Sequence, residues 1–161
     1  MNQCTFEIQS QSVEQTITFG EQLAKHLQAG DWVTLDGELG AGKTHLIRGI
    51  AQGMGADGHA VASPTFVLMH EYEPEDLDKP LLIHIDAYRL KHSSDLINLG
   101  WSDVADEAVM MIEWASKVSD ALPSDRLQIT LRHVNDHTRE IELTGYGKWE
   151  DRLKDLPHYS Q

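Results

Sequence analysis

Apolar positions recur along this chain in two rhythms. Thr5-Phe6-Glu7-Ile8 alternates as a short strand does. From Ser10 to Gln28 the apolar residues Val13, Ile17, Phe19, Leu23, Ala24 and Leu27 return at close to a helical period, which predicts a helix. Ser12 suits its N-cap, Gln15 stands three residues on as in a capping box, and Ala29-Gly30 ends it. Thr16 inside that helix reads as an exposed or back-bonded hydroxyl. Residues 31–36, with Trp32-Val33-Thr34-Leu35, form a strand, and Leu46, Ile47 and Ile50 share one face of a helix that stops by Gly53 or Gly55. A small-residue loop, Ala56 to Ala62, follows, and Pro64 excludes helix in Ser63-Pro64-Thr65-Phe66. Phe66 to Tyr72 alternates as a strand, and Glu73 to Lys79 is an acidic connection.

Two later runs, Leu81-Leu82-Ile83-His84-Ile85-Asp86 and Val109-Met110-Met111-Ile112-Glu113-Trp114, are nearly continuous in apolar residues, the mark of strands buried on both faces. Ser93 to Gly100 between them is a short capped helix, and Asp103 to Ala108 a further turn. Leu127 to Val134 and Thr138 to Thr144 alternate around Asn135-Asp136, a hairpin pattern. Lys148 to Leu156 is a last short helix. There are no internal repeats, linkers or low-complexity tracts.

The chemistry begins at Gly37-Glu38-Leu39-Gly40-Ala41-Gly42-Lys43-Thr44, which reads G-x-x-x-x-G-K-T. Glycines let such a loop wrap closely and aim several N–H groups at one set of phosphates. The stretch from Glu38 to Thr44 is therefore the expected nucleotide-binding loop, with the Lys43 charge on the β- and γ-phosphates and the Thr44 hydroxyl on Mg²⁺. Strand, glycine loop and helix stand in the required order. The prediction is an α/β fold: a P-loop NTPase-type three-layer sandwich with a mostly parallel central sheet and a C-terminal β-hairpin. One domain spans residues 1–161.

Parallel strands aim their C-terminal ends at such a site. Asp86 ends one apolar strand and is placed to hold Mg²⁺ directly or through water. Glu113 ends another and is placed to hold a metal-bound water or to orient the attacking one. His133 and His137 flank the hairpin turn, but no cysteine or third ligand stands near them to make a zinc site.

Composition narrows this further. Apolar residues are 40% and charged residues 24%, ordinary for a soluble globular chain. No apolar run approaches the ~20 residues of a membrane span, and no signal-peptide pattern opens the chain. The one cysteine, Cys4, has no internal partner and fits a reducing cytoplasm, so the expected location is cytoplasmic. A formal charge of −13 with no basic patch argues against strong direct binding to nucleic acid, although acidity alone also serves solubility. Guanine-specific N-K-x-D and the glycine-rich signature of transport ATPases are both absent.

Four motifs together, the loop 37–44, Ser63-Pro64-Thr65-Phe66, His84-x-Asp86-x-Tyr88-Arg89 and Ile112-Glu113-Trp114, closely resemble the TsaE family over roughly residues 5 to 145. The resemblance implies a bacterial ATPase needed for threonylcarbamoyladenosine (t6A) formation in tRNA. It implies ATP and Mg²⁺ as cofactors. It also implies TsaD and TsaB as partners, the tRNA being met indirectly through that complex, and no membrane. Residue by residue, it puts Thr44, Asp86 and Glu113 on the metal, Thr16 and Trp114 beside the nucleotide, and residues 63–66 in a switch segment. Ser93-Ser94-Asp95-Leu96 and Val104-Ala105 depart from the family pattern away from the nucleotide site.

The expected reaction is Mg²⁺-dependent ATP hydrolysis, with Lys43, Asp86, Glu113 and Thr65 as its catalytic residues, the Thr65 hydroxyl sensing the γ-phosphate. Arg89 is placed either to serve the phosphates or to pair with an acid. No arginine is plainly placed as a finger in cis, so turnover should be slow alone and faster in complex. Two alternatives stand beside it. A small-molecule kinase would need a basic lid, and residues 90–125 supply only Lys91 and Lys117. A nucleotide-switched protein-binding module would not need hydrolysis.

Overall fold

The computed structural model describes residues 3–38, 40–61 and 69–156, with Gln3 and Cys4 as backbone only. Leu39 and the Ser63–Phe66 motif, Thr65 included, lie outside the described residues, as does the start of the strand expected from Phe66.

Among the described residues seven strands form one sheet: β1 (Gln3–Ser10), β2 (Trp32–Asp36), β3 (Met69–Tyr72), β4 (Leu81–Asp86), β5 (Ala108–Glu113), β6 (Arg126–His133) and β7 (Arg139–Tyr146). Their spatial order is β1-β7-β6-β2-β5-β4-β3. The expected mostly parallel sheet is instead mixed. β6-β2, β2-β5 and β5-β4 are parallel, while β1-β7, β7-β6 and β4-β3 are antiparallel. Connection length explains two of the three antiparallel pairs, β4-β3 and β7-β6. A parallel return takes a crossover of about a dozen residues or more. The stretch 73–80 between β3 and β4 and the stretch 134–138 between β6 and β7 are too short for one. The expected C-terminal hairpin is present as β6 and β7, and β1 closes onto its outer edge.

Strand alternation sends side chains to two cores, one on each face of the sheet. Val33, Leu35, Val109 and Met111 pack with α1 (Val13–Ala24) and α2 (Lys43–Gly53). Ile83, Ile85, Met110 and Ile112 pack on the other face with Leu96 of α3 (Ser93–Ile97) and Val118 of the 3₁₀ segment Ala115–Ala121. The short helix α4 (Trp149–Lys154) is tied down by Arg152, which pairs with Asp31 at 2.6 Å and stacks on Trp149.

The helix expected to reach Gln28 ends at Ala24. His26 and Leu27 donate to carbonyls three residues back, which tightens the turn, and the Gln28 N–H is taken by Asp31 Oδ2 at 2.7 Å. Ser12 is the N-cap, accepting from the Gln15 N–H at 3.0 Å, but the Gln15 side chain accepts from Gln11, one residue earlier than a capping box requires.

Helices α1 and α2 touch backbone to backbone through glycines. A Cβ on Gly49 would lie 2.1 Å from the Ile17 carbonyl oxygen, and one on Gly20 would lie 2.5 Å from that of Leu46. Gly49→Ala is therefore expected to destabilise the fold by about 3 kcal/mol, the upper end for overpacking. Denaturant unfolding would show this as a lower midpoint at unchanged slope.

Candidate functional site

A cleft of about 550 Å³ opens where β2, β4 and β5 end, a size that suits a small-molecule ligand. Its floor comes from the parallel strands, and its sides from the N-terminal ends of α1 and α2 and from the β6–β7 turn. Gly42, at φ 103°, turns the loop into α2 as its N-cap. The first turn of that helix presents N–H groups that have no partner within it, which favours an anion there.

Lys43 is buried at the head of α2. Its Nζ donates to the Gly37 carbonyl and sits 3.9 Å from the centre of the Trp114 ring. Burial pushes the Lys43 pKa down, and the carboxylates of Glu113, Asp86 and Asp36 act in the opposite direction. Trp114 takes left-handed backbone angles, φ 58° and ψ 37°, a conformation that costs a non-glycine residue about 1–3 kcal/mol. That turn, just beyond β5, brings its ring over Lys43 and against Tyr88, with centroids 5.1 Å apart.

Asp86 and Glu113 are register partners at the ends of β4 and β5, and both are buried. Asp86 Oδ1 accepts from the Tyr88 N–H at 2.9 Å, and Glu113 Oε2 lies 2.7 Å from His84 Nε2. With Thr44 they face one cleft and offer hard oxygen donors, the set that suits Mg²⁺ completed by water and phosphate oxygens. Among the described residues no group of three or more His, Cys, Asp or Glu is placed to hold a metal. His133 is exposed at the end of β6, whereas His137 faces the cleft.

The cleft thus gathers Thr16, Gly40, Gly42, Lys43, Thr44, Asp86, Glu113 and Trp114 of the residues expected from sequence. Thr16 is buried, with its hydroxyl 2.6 Å from Ser10 Oγ and 3.3 Å from the Ser12 carbonyl, so the back-bonded alternative applies and the exposed one does not. Glu38 is exposed on the loop and does not line the cleft; its carbonyl accepts from the Ala41 N–H. Ala41 is buried in the core beneath the loop. Arg89 lines the cleft.

Sequence reading missed Arg139. It opens β7, and its Nη2 donates to the Gly40 carbonyl at 3.3 Å across 99 residues of chain. Only the pairing of the hairpin with β2 carries it there, so no local signal marks it. Burial lowers the His45 pKa, and the charges of Arg48 and Arg139 act in the same direction. His84 was also missed as the partner of Glu113, although a polar residue inside the apolar run Leu82-Ile83-His84-Ile85 is a visible irregularity.

Residues 10–141 match the model of the family described as threonylcarbamoyl adenosine biosynthesis protein TsaE. The chain belongs to the TsaE family. TsaE relatives bear this out over most of their length. The tRNA threonylcarbamoyladenosine biosynthesis protein TsaE of Streptomyces coelicolor is 43% identical over 134 residues, 80% of this chain and 89% of the relative. That of Bacillus subtilis is 37% identical over 141 residues, 87% and 85% of the two chains. The crystal structure of Bacillus subtilis YdiB is similar with a TM-score of 0.77 at 30% identity, covering 97% of this chain and 96% of that one. The TsaE resemblance carried by the four sequence motifs therefore stands, and the chain is a member of a t6A biosynthesis family.

Proposed function

We propose that this chain is the Mg²⁺-dependent ATP-hydrolysing subunit of t6A formation, built on a P-loop NTPase-type fold, and that it drives turnover of a TsaD–TsaB complex in the cytoplasm. One observation carries the hydrolytic reading: Lys43 and the paired carboxylates Asp86 and Glu113 converge on the cleft at the glycine loop. The t6A setting comes from the family.

In this reading the loop amides and Lys43 hold the β- and γ-phosphates and stabilise charge as the γ-phosphoryl group leaves. Lys43 reaches them by exchanging its bond to the Gly37 carbonyl for phosphate oxygens. Thr44, Asp86 and Glu113 would hold Mg²⁺, which supplies charge neutralisation on the phosphate oxygens. Glu113 also accepts a hydrogen bond from the attacking water and orients it. Trp114 limits the mobility of the Lys43 amine and screens it from bulk water. Thr65 remains the proposed γ-phosphate sensor. An acidic chain of net charge −13 leaves the tRNA to its partners. Among the described residues no helix is long and apolar enough to cross a membrane.

Arg139 and Arg89 border the cleft, yet Arg139 is held by the Asn135, Thr138 and Gly40 carbonyls. A partner that completes the site would add charge at the γ-phosphate, a contribution worth about 10³-fold or more where an arginine supplies it. Phosphate release from Mg-ATP is expected to be slow for the chain alone and markedly faster with TsaD–TsaB. Equal rates in the two conditions would overturn the partner-driven part of this proposal.

A further inference from the structure

Glu113 is the end of a buried polar chain that crosses three neighbouring strands. Its Oε2 lies 2.7 Å from His84 Nε2 on β4. His84 Nδ1 lies 3.0 Å from the Tyr72 hydroxyl on β3, and that hydroxyl lies 3.4 Å from Nδ1 of His70. His84 is 0% exposed, Glu113 3% and Tyr72 6%. The neighbours of His84 on β4 and β5, Ile83, Ile85, Met111 and Ile112, are apolar and buried, so a polar ring there is unfavourable unless both nitrogens are satisfied.

The direction of the chain follows from its chemistry. The Glu113 carboxylate accepts, so His84 Nε2 donates, and in the neutral ring Nδ1 is then the acceptor. Nδ1 must then accept from the Tyr72 O–H. Every donor in the sequence Tyr72, His84, Glu113 points the same way, and such chains reinforce one another in a buried setting. A purely packing role at position 84 needs neither bond.

We propose that His84 and Tyr72 are positioning residues for Glu113. His84 engages Oε2 in one orientation, which presents the other carboxylate oxygen to the cleft, and Tyr72 holds the His84 ring in the tautomer and plane that this requires. Because Tyr72 belongs to the edge strand that follows Ser63-Pro64-Thr65-Phe66 in the chain, β3 is coupled through His84 to the end of β5. The inference rests on Glu113 serving the hydrolytic site proposed above.

The test compares the unaltered chain with His84→Asn, His84→Gln and Tyr72→Phe, measuring phosphate release from Mg-ATP with TsaD–TsaB, ATP affinity and thermal unfolding. Asparagine is too short to reach Glu113, whereas the glutamine amide can put an N–H near the position of Nε2. His84→Asn is expected to lower kcat by about 10–100-fold with KM for ATP unchanged. His84→Gln is expected to recover most of that loss, and Tyr72→Phe to lower kcat by about 5-fold with affinity unchanged. Tyr72→Phe deletes one oxygen and decides the matter if a His84 variant does not fold. Equal losses in the Asn and Gln variants, or a folded Tyr72→Phe with unchanged kcat, would overturn the proposal. Absence of phosphate release from the unaltered chain would instead remove the hydrolytic reading itself, and this proposal with it.

Discussion

Lys43→Ala is expected to lower affinity for Mg-ATP by about 10–100-fold, the worth of a charge-assisted contact to phosphate. It should also lower phosphate release by about 10²–10³-fold, as when one transition-state donor is removed. The fold should survive. Lys43 is buried as a cation at the mouth of the core, and burial disfavours its charged form. Its removal deletes that cost together with the bond to Gly37 and the contact with Trp114. Equilibrium binding of a fluorescent ATP analogue, a phosphate-release assay and a thermal melt separate these effects. Normal binding and hydrolysis in a folded Lys43→Ala chain would mean that the loop is not the nucleotide site.

Glu113→Gln is expected to separate binding from chemistry. The amide keeps the shape of the side chain, and its carbonyl oxygen can still accept from His84 Nε2, so the end of β5 should be undisturbed. The negative charge is lost, and with it the strong acceptor for the attacking water. Phosphate release should fall by about 10²–10⁴-fold, the usual range for a group that assists proton transfer, while ATP affinity changes by less than about 10-fold. Asp86 remains to hold the metal side, beside Glu113 in the register of β4 and β5. A variant that loses affinity and rate in equal measure would instead place Glu113 in ground-state binding.

The sequence made some parts of this molecule plainer than others, for physical reasons. Strand β4 begins and ends where its apolar run does, and β5 differs by one residue at its start, because strands buried on both faces need continuous hydrophobic sequence. Their closing carboxylates were legible for the same reason: a charged residue ends each run. The glycine loop was legible as a turn into α2 because the left-handed backbone at Gly42 favours glycine there.

What was less legible depended on partners distant in sequence. The α1 helix stops three residues before its apolar period does because Asp31 captures the Gln28 N–H and Arg152 holds Asp31 from the far end of the chain. Sheet direction was misjudged because two antiparallel pairs follow from the short connections 73–80 and 134–138, and a third joins β1 to β7 from opposite ends of the chain. The choice between an exposed and a back-bonded Thr16 hydroxyl was not decided by sequence, since its side-chain partner, Ser10 Oγ, comes from the end of β1. Arg139 reaches the loop through sheet pairing alone, and His84 meets Glu113 across two strands.

The central claim is that ATP hydrolysis at this cleft drives repeated t6A formation. It is tested most directly by counting t6A-modified tRNA molecules formed per TsaD–TsaB complex, with either the unaltered chain or Glu113→Gln present and ATP in excess. The account predicts many turnovers with the unaltered chain and about one or fewer with Glu113→Gln, although both bind ATP. Sustained multiple turnover with a Glu113→Gln chain shown to be hydrolytically dead would contradict it.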